Sequence, residues 1–355
     1  YHWFNRYLNL GLDESQIAEA DYEPLTASDQ AVWNAEHPAP QGGDDYERSL
    51  TEYLAVESDK QIAALTPTDT TSLDKYGSVV GRAFQTIIGR ELPSHDDIQR
   101  KKVDKQTKAG FLYFEDILRL ESHGEEFPII SLFPKSVAWN GDVVVWLDGA
   151  GKRGLFTADG RARTEVIRLL DGGASIVSPD LFQQGDFLPG DQPLTRQRSV
   201  KNTREAAAYT FCYNETLFVR RVHDVLTVIS WVRNDEHAPK RLNLIGVNGA
   251  GPVAAAARAI AGSAVDRAAI DTRGFRFSKL TDYLAPDFLP GAVKYGDLPA
   301  LLSLSAPHPL WIAGESGTTP AVVAATYNAA GNANAVSSTP LQNSADAAVD
   351  WLLAK

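Results

Sequence analysis

The chain has 355 residues, with 45 acidic against 34 basic side chains and a formal net charge of −11. Nucleic acid and anionic membrane surfaces both require a basic face, so neither is expected as a main partner. No apolar run approaches the ~20 residues that span a bilayer, and 44% apolar with 22% charged residues is the balance of an ordinary globular protein.

The length suits one large domain with an appendage. The single cysteine, Cys212, rules out an intrachain disulfide and a cysteine-rich zinc site. The histidines, His2, His37, His95, His123, His223, His237 and His308, are scattered, and none pairs with another at ligand spacing. No cofactor is therefore expected. The chain contains no methionine and begins at Tyr1, which reads as an excerpt or a processed product.

Residues 1–12, YHWFNRYLNLGL, have the 3–4 spacing of an amphipathic helix and begin without a cap. Residues 13–45 are acidic and rich in Pro and Gly, the composition of a linker. Helical periodicity returns over residues 46–66 and again over 73–89. The basic stretch IQRKKVDKQTK then reads as solvated surface. The boundaries that follow are 1–12 for a terminal helix, 13–106 for a linker with helical segments, and 107–355 for the main domain.

From about Lys108 the pattern changes. GFLYFEDILRLES and FPIISLFPK are strands separated by a turn. GDVVVWLDGAGK is an apolar strand ending in Asp148 and Gly149. Helices and strands then alternate: RTEVIRLLDGG before ASIVSPD, LFVRRVHDVLTVISWVRN before LNLIGV, PVAAAARAIAG before VDRAAIDT, and YGDLPALLSLS before PLWIAGE. TPAVVAATYNAA precedes a weak strand, ANAVSST, and SADAAVDWLLAK is a closing helix. Two early strands followed by repeated α–β units predict an α/β fold, a doubly wound and mostly parallel sheet with helices on both faces. VVVWL, LNLIGV and PLWIA are apolar on both faces, as strands buried between helical layers are.

Ligands in such sheets bind beyond the carboxyl ends of the strands, so those ends hold the candidate site. LNLIGVNGAGP, residues 242–252, has the shape of a nucleophile elbow, in which Gly-x-nucleophile-x-Gly makes a tight strand-to-helix turn. Gly246 and Gly249 supply the permissive backbone, and Asn248 stands at the nucleophile position. Asn tolerates left-handed φ but lacks an activatable hydroxyl. A dinucleotide-binding glycine loop would need G-x-G-x-x-G, and Gly246, Gly249 and Gly251 do not have that spacing.

The loop after VVVWL is where part of an oxyanion hole would lie. There Gly149 keeps the flexibility, but Asp148 opposes a developing oxyanion. Asp180 closes SIVSPD and reads either as a strand-end loop residue or as a local turn former. Asp271, after RAAID, and Glu315, after PLWIAG, are acids at later strand ends, each able to serve as a triad acid or as a helix-capping surface residue. No histidine follows Glu315; His308 precedes its strand, and His223 lies inside a helix. Both the nucleophile and the base are missing from their positions.

The segments YHWFNRYLNLGL, AVWNAEHP, WLDGAGKRGLF, FCYNETLFVRRVHDVLTVISWVRN and GVNGAGP together resemble the C-terminal half of two-domain bacterial proteins of the acetylxylan-esterase-like or dienelactone-hydrolase-like α/β-hydrolase family. The resemblance implies that a preceding domain carries a Ser-His-Asp triad, with residues 1–12 as its last helix, and that residues 107–355 are a degenerate second copy. That upstream domain is then the expected partner, and a carbohydrate ester the expected substrate of the whole. The leading expectation is an inactive hydrolase domain packed on a carbohydrate esterase. The alternatives are a stand-alone enzyme using Asp148, Asp271 and Glu315, for acid–base work or metal binding, and a sugar-binding module retaining the old pocket. Export from a bacterium to the periplasm or medium is compatible with the sequence, which carries no positive sign of it.

Overall fold

A computed structural model describes the whole chain apart from residues 190–191, 201–206, 341–343 and 355. It divides into two compact units, Tyr1–Val56 and Glu57–Lys355. In the first unit, α1 (His2–Tyr7) and α2 (Glu14–Ile17) are short and bury no residue. The helical spacing of residues 1–12 thus yields a helix over only half that stretch. Asn5 ties the following turn back to the helix: its amide nitrogen donates to the Leu12 carbonyl (2.7 Å) and its oxygen accepts from the Leu12 N–H (3.0 Å). A longer helix, α3 (Asp44–Ala63), runs into the second unit.

The second unit opens with α4 (Thr70–Tyr76) and α5 (Arg82–Ile88), joined through a π-helical turn over Gly77–Gly81. The periodicity over 73–89 predicts one continuous helix, and the wider turn at the two glycines divides it. Tyr76, Val80, Phe84 and Ile88 recur along this segment at fourth positions and are all buried in the main core.

The sheet has nine strands: β1 (Ile98–Thr107), β2 (Phe111–Leu120), β3 (Glu125–Pro134), β4 (Asp142–Asp148), β5 (Ser175–Pro179), β6 (Arg241–Val247), β7 (Arg267–Asp271), β8 (Leu310–Ala313) and β9 (Val336–Thr339). Their order is β1-β2-β3-β5-β4-β6-β7-β8-β9. The pairs from β1 through β5 are antiparallel, and those from β5 across β4 to β9 are parallel. The expected sheet is thus present. Its first strand is the basic stretch that reads as solvated surface. That reading of its side chains is correct, since nine of its ten residues are exposed, but its backbone pairs with β2. A polar, lysine-bearing strand is suited to a sheet edge, where it discourages pairing with another chain.

The remaining helices are α6 (Thr164–Asp171), α7 (Ala207–Phe211), α8 (Leu217–Arg233), α9 (Gly251–Ala261), α10 (Asp297–Ser303), α11 (Ala321–Ala329) and α12 (Ser344–Leu353). They cover both faces of the sheet. On β4, Val143, Val145 and Leu147 join the core under α8, α9 and α10, while Val144 and Trp146 join the core under α6 and α12. This two-residue alternation explains why the strand reads as apolar throughout. No helix among the described residues is long and apolar enough to cross a membrane.

Candidate functional site

After β4 the chain moves to β5 on one side, and after that to β6 on the other, so the strand order reverses at β4. A crevice opens at such a switch point, beyond the carboxyl ends of the flanking strands. Asp148 and Val247 are register partners at those two ends. A cleft of about 1150 Å³ lies there, and Asp148, Gly149, Asn248 and Gly249 are among its lining residues.

The turn after β6 is a sharp strand-to-helix elbow. Asn248 has φ 54° and Gly249 φ 100°, and α9 starts at Gly251 with proline in its first turn. Asn accepts left-handed backbone better than most residues because its short polar side chain bonds locally. The turn packs tightly: a Cβ on Gly246 would lie 2.4 Å from the Ala254 Cβ, and one on Gly149 would lie 2.1 Å from the Asn248 carbonyl oxygen.

Asn248 is not free to reach a ligand with its whole side chain. Its amide nitrogen donates to Asp148 Oδ2 at 2.7 Å. The other oxygen of Asp148 accepts from the Ala150 backbone N–H at 2.9 Å. Asp148 is 3% exposed. The acid at the oxyanion position and the amide at the nucleophile position therefore satisfy each other.

The rest of the cleft comes from segments outside the elbow. Arg163, Gln183, Gln184, Arg221 and Asp287 line it. Arg221, from the first turns of α8, donates to the carbonyls of Phe182 and Gln183, both at 3.1 Å. Burial pushes the Asp287 carboxyl above its ordinary range, opposed by the Arg221 charge. Burial likewise lowers the Arg221 guanidinium. No histidine lines this cleft among the described residues. The loop after β9, where a base would stand, contains residues 341–343, which lie outside the described part.

Asp180 directly follows β5 and is fully buried. Its oxygens accept from the backbone N–H groups of Lys152 (2.8 Å) and Asp186 (3.0 Å), so it ties two site loops together. These partners lie 28 and six residues away, so a local turn does not describe its bonds.

Asp271 and Glu315 lie at the ends of β7 and β8, and neither lines the cleft. Asp271 accepts from the Arg273 N–H (3.0 Å) and from Ser344 Oγ (2.7 Å), which anchors the start of α12. Glu315 is held by Arg276 through two bonds of 2.9 and 2.6 Å and by Thr272 Oγ1 at 2.6 Å. It is 8% exposed at the side chain, an internal ion pair instead of a surface cap. Both acids are thus engaged by protein groups, apart from the Asp148–Asn248 pair.

The Glu315 pair makes stability pH-dependent. Burial pushes its carboxyl up, but the bonds from Arg276 and Thr272 outweigh this and hold it below the ordinary range. A depressed carboxylate contributes stability that is complete above the unfolded value, about 4.3. That contribution disappears as pH falls through the lower, folded-state value. Glu315→Gln should therefore cost about 1–3 kcal/mol at pH 7, because it leaves Arg276 half-buried without its counter-charge. In urea titrations the gap between variant and parent should close below pH 4; a gap that stays constant with pH would contradict the ion-pair account.

No protein-family model and no curated sequence matches the chain. Solved structures do. A Bacteroides fragilis protein described as a candidate acetyl xylan esterase superposes with a TM-score of 0.58 at 13% identity, over 79% of this chain and 80% of that one. The methylesterase BT1017 gives 0.56 at 14% identity, over 84% and 67% of the two chains. A glucuronoyl esterase of Solibacter usitatus gives 0.51 at 12% identity, over 81% and 92%. The chain has the α/β-hydrolase fold. In α/β-hydrolases the elbow bears the nucleophile, the preceding loop contributes to the oxyanion hole, and later strand ends bear the acid and then the base. The first two places in this chain are taken by Asn248 and Asp148.

Proposed function

We propose that this chain is a non-hydrolytic α/β-hydrolase domain that accompanies a carbohydrate esterase. The ester bond, such as an acetyl group on a polysaccharide like xylan, is cleaved by a Ser-His-Asp triad in a preceding hydrolase domain of the same protein. The reading rests on one observation above the others: Asn248 stands at the elbow and is bonded to Asp148. Nucleophilic catalysis needs a hydroxyl or thiol with a base within hydrogen-bond reach. An amide donating to a carboxylate supplies neither. The names of the similar structures, which include acetyl xylan, methyl and glucuronoyl esterases, support the choice of carbohydrate esters as the substrate class of the assembly.

The chain is expected to hydrolyse chromogenic acetyl esters no faster than the uncatalysed background. Asn248→Ser is expected to do no better. A serine there would face the Asp148 carboxyl, which supplies neither an imidazole base nor a donor to the tetrahedral oxyanion. Steady-state turnover by the parent chain would refute the reading, and turnover created by Asn248→Ser alone would refute the argument about the missing base.

The dimensions and lining of the cleft favour a second role. It is far larger than the Asp148–Asn248 pair requires, and polar side chains line it, among them Arg163, Gln183 and Asp287. Mixed donors and acceptors around a cleft suit a polyhydroxylated ligand. Calorimetry with acetylated xylo-oligosaccharides tests this: binding that weakens in Arg163→Ala supports a retained sugar pocket, and no heat of binding removes it.

A further inference from the structure

A second group of polar side chains, none of which lines the cleft, meets where α8 passes α5 and the start of β3. His223, in the middle of α8, is 1% exposed at the side chain. Its Nε2 lies 2.7 Å from the Ile88 carbonyl oxygen at the end of α5. A carbonyl only accepts, so Nε2 carries the proton and, in the neutral ring, Nδ1 presents a lone pair. That Nδ1 is buried and has no hydrogen-bond partner.

The lone pair faces carboxylates. Glu215 Oε2 is 3.6 Å from Nδ1. Ligand atoms of Glu125, Glu215 and His223 all lie within 4.8 Å of one another. Arg90 balances Glu125 through two bonds, 2.5 and 3.1 Å, and Arg220 adds a second positive charge nearby. Neither supplies a partner to His223 Nδ1, whose lone pair remains unmatched beside Glu215. The role of Arg90 resembles that of an outer partner orienting a ligand carboxylate. The Ile88 carbonyl does the same for the imidazole, since metal-bound histidines nearly always donate their other N–H to an acceptor.

We propose that Glu125, Glu215 and His223 Nδ1 bind a divalent transition-metal cation of the zinc type. One imidazole nitrogen and two carboxylate oxygens suit zinc and its borderline neighbours better than calcium or magnesium, which prefer all-oxygen sites. Glu215 is exposed, so solvent water can complete a tetrahedral set. The ion cross-links the segment entering α8 to β3 and, through Ile88, to α5. Its effect is therefore on stability. The spacing of the ligands, at 125, 215 and 223, hides them from a search for clustered histidines.

The full chain is stripped with a chelator and titrated with zinc chloride in a calorimeter, and its thermal unfolding is followed with and without the metal. The expected result is one tight zinc per chain and a midpoint that rises with zinc. Glu215→Gln, a change at an exposed side chain, is expected to fold normally and to lose at least about tenfold in zinc affinity, together with the zinc-dependent rise. His2→Ala, which removes a surface histidine lying 3.4 Å from Glu14, is expected to change neither. Cobalt substitution should give a visible d–d spectrum that Glu215→Gln abolishes. The proposal is overturned if the parent chain binds no zinc or if Glu215→Gln binds it as tightly as the parent. It is also overturned if nitrogen NMR in the presence of zinc shows both ring nitrogens of His223 protonated at pH 7.

Discussion

Gly251→Ala is expected to destabilise the protein by roughly 3 kcal/mol or more, read as a lowered urea midpoint at unchanged m-value. Gly251 is the first residue of α9, directly after the elbow. A Cβ there would lie 2.0 Å from the Asp271 carbonyl oxygen and 2.7 Å from its carbon. The obstruction is the backbone of a buried parallel strand and cannot rotate away. Relief requires α9 to lift off β7, which opens the buried contacts of Val253 through Ala257. Gly249→Ala is the control. Its φ of 100° is strained for alanine, but nothing lies within 4 Å of the added carbon, so the cost should be about 1–2 kcal/mol. The close approach explains Gly251 only if its substitution costs clearly more than that of Gly249.

Asp180→Ala is the second large change, with an expected loss of about 3–5 kcal/mol. The carboxylate is fully buried and accepts two backbone N–H groups, and Lys152 Nζ lies 3.4 Å from it. Its surroundings are shaped to it: a Cβ on Gly151 would lie 2.1 Å from its Oδ1, and one on Gly185 would lie 2.2 Å from its Cγ. Truncation leaves two part-buried backbone donors without acceptors and removes one of the three carboxylates around the Lys152 ammonium, the others being Glu115 and Asp186. Amide exchange at Lys152 and Asp186 should accelerate together, because one side chain protects both. If their protection is unchanged in the variant, the carboxylate is not what ties these loops.

Much of the fold could be read from residue patterns because its elements are locally consistent. The interior of β4 and the whole of β8 are apolar, and β6 is apolar past Arg241 apart from Asn243, since both of their faces are covered. α8 is periodic and opens on Thr216, whose hydroxyl accepts from the Val219 N–H at 3.3 Å. β1 was not legible: its residues are polar and exposed, and its only reason to be extended is the backbone of β2 beside it. The segment over 73–89 shows the opposite limit. Its helical periodicity was visible, but periodicity is blind to one wider turn at Gly77–Gly81.

At the site, the elbow was legible because a tight strand-to-helix turn restricts residues that are adjacent in sequence. The bond between Asn248 and Asp148 was not, nor was the pairing of Glu315 with Arg276, since these partners are brought together by strand order and loop paths. Arg221 and Asp287 carry no motif; they face the cleft only because α8 and the segment before α10 meet there.

The sequence by itself determined which turn would be sharp, that its central residue could not be an activated nucleophile, and that no histidine follows the last acid. These are properties of residue type and order. Tertiary structure alone decided where each charge goes. Asp148 is bonded by an amide donor, Glu315 is locked to an arginine, Asp180 holds two loops, and His223 leaves a buried nitrogen unpaired beside Glu215. Hydrogen bonds and ion pairs act over a few ångströms, and only the folded sheet sets which distant residues come within that range.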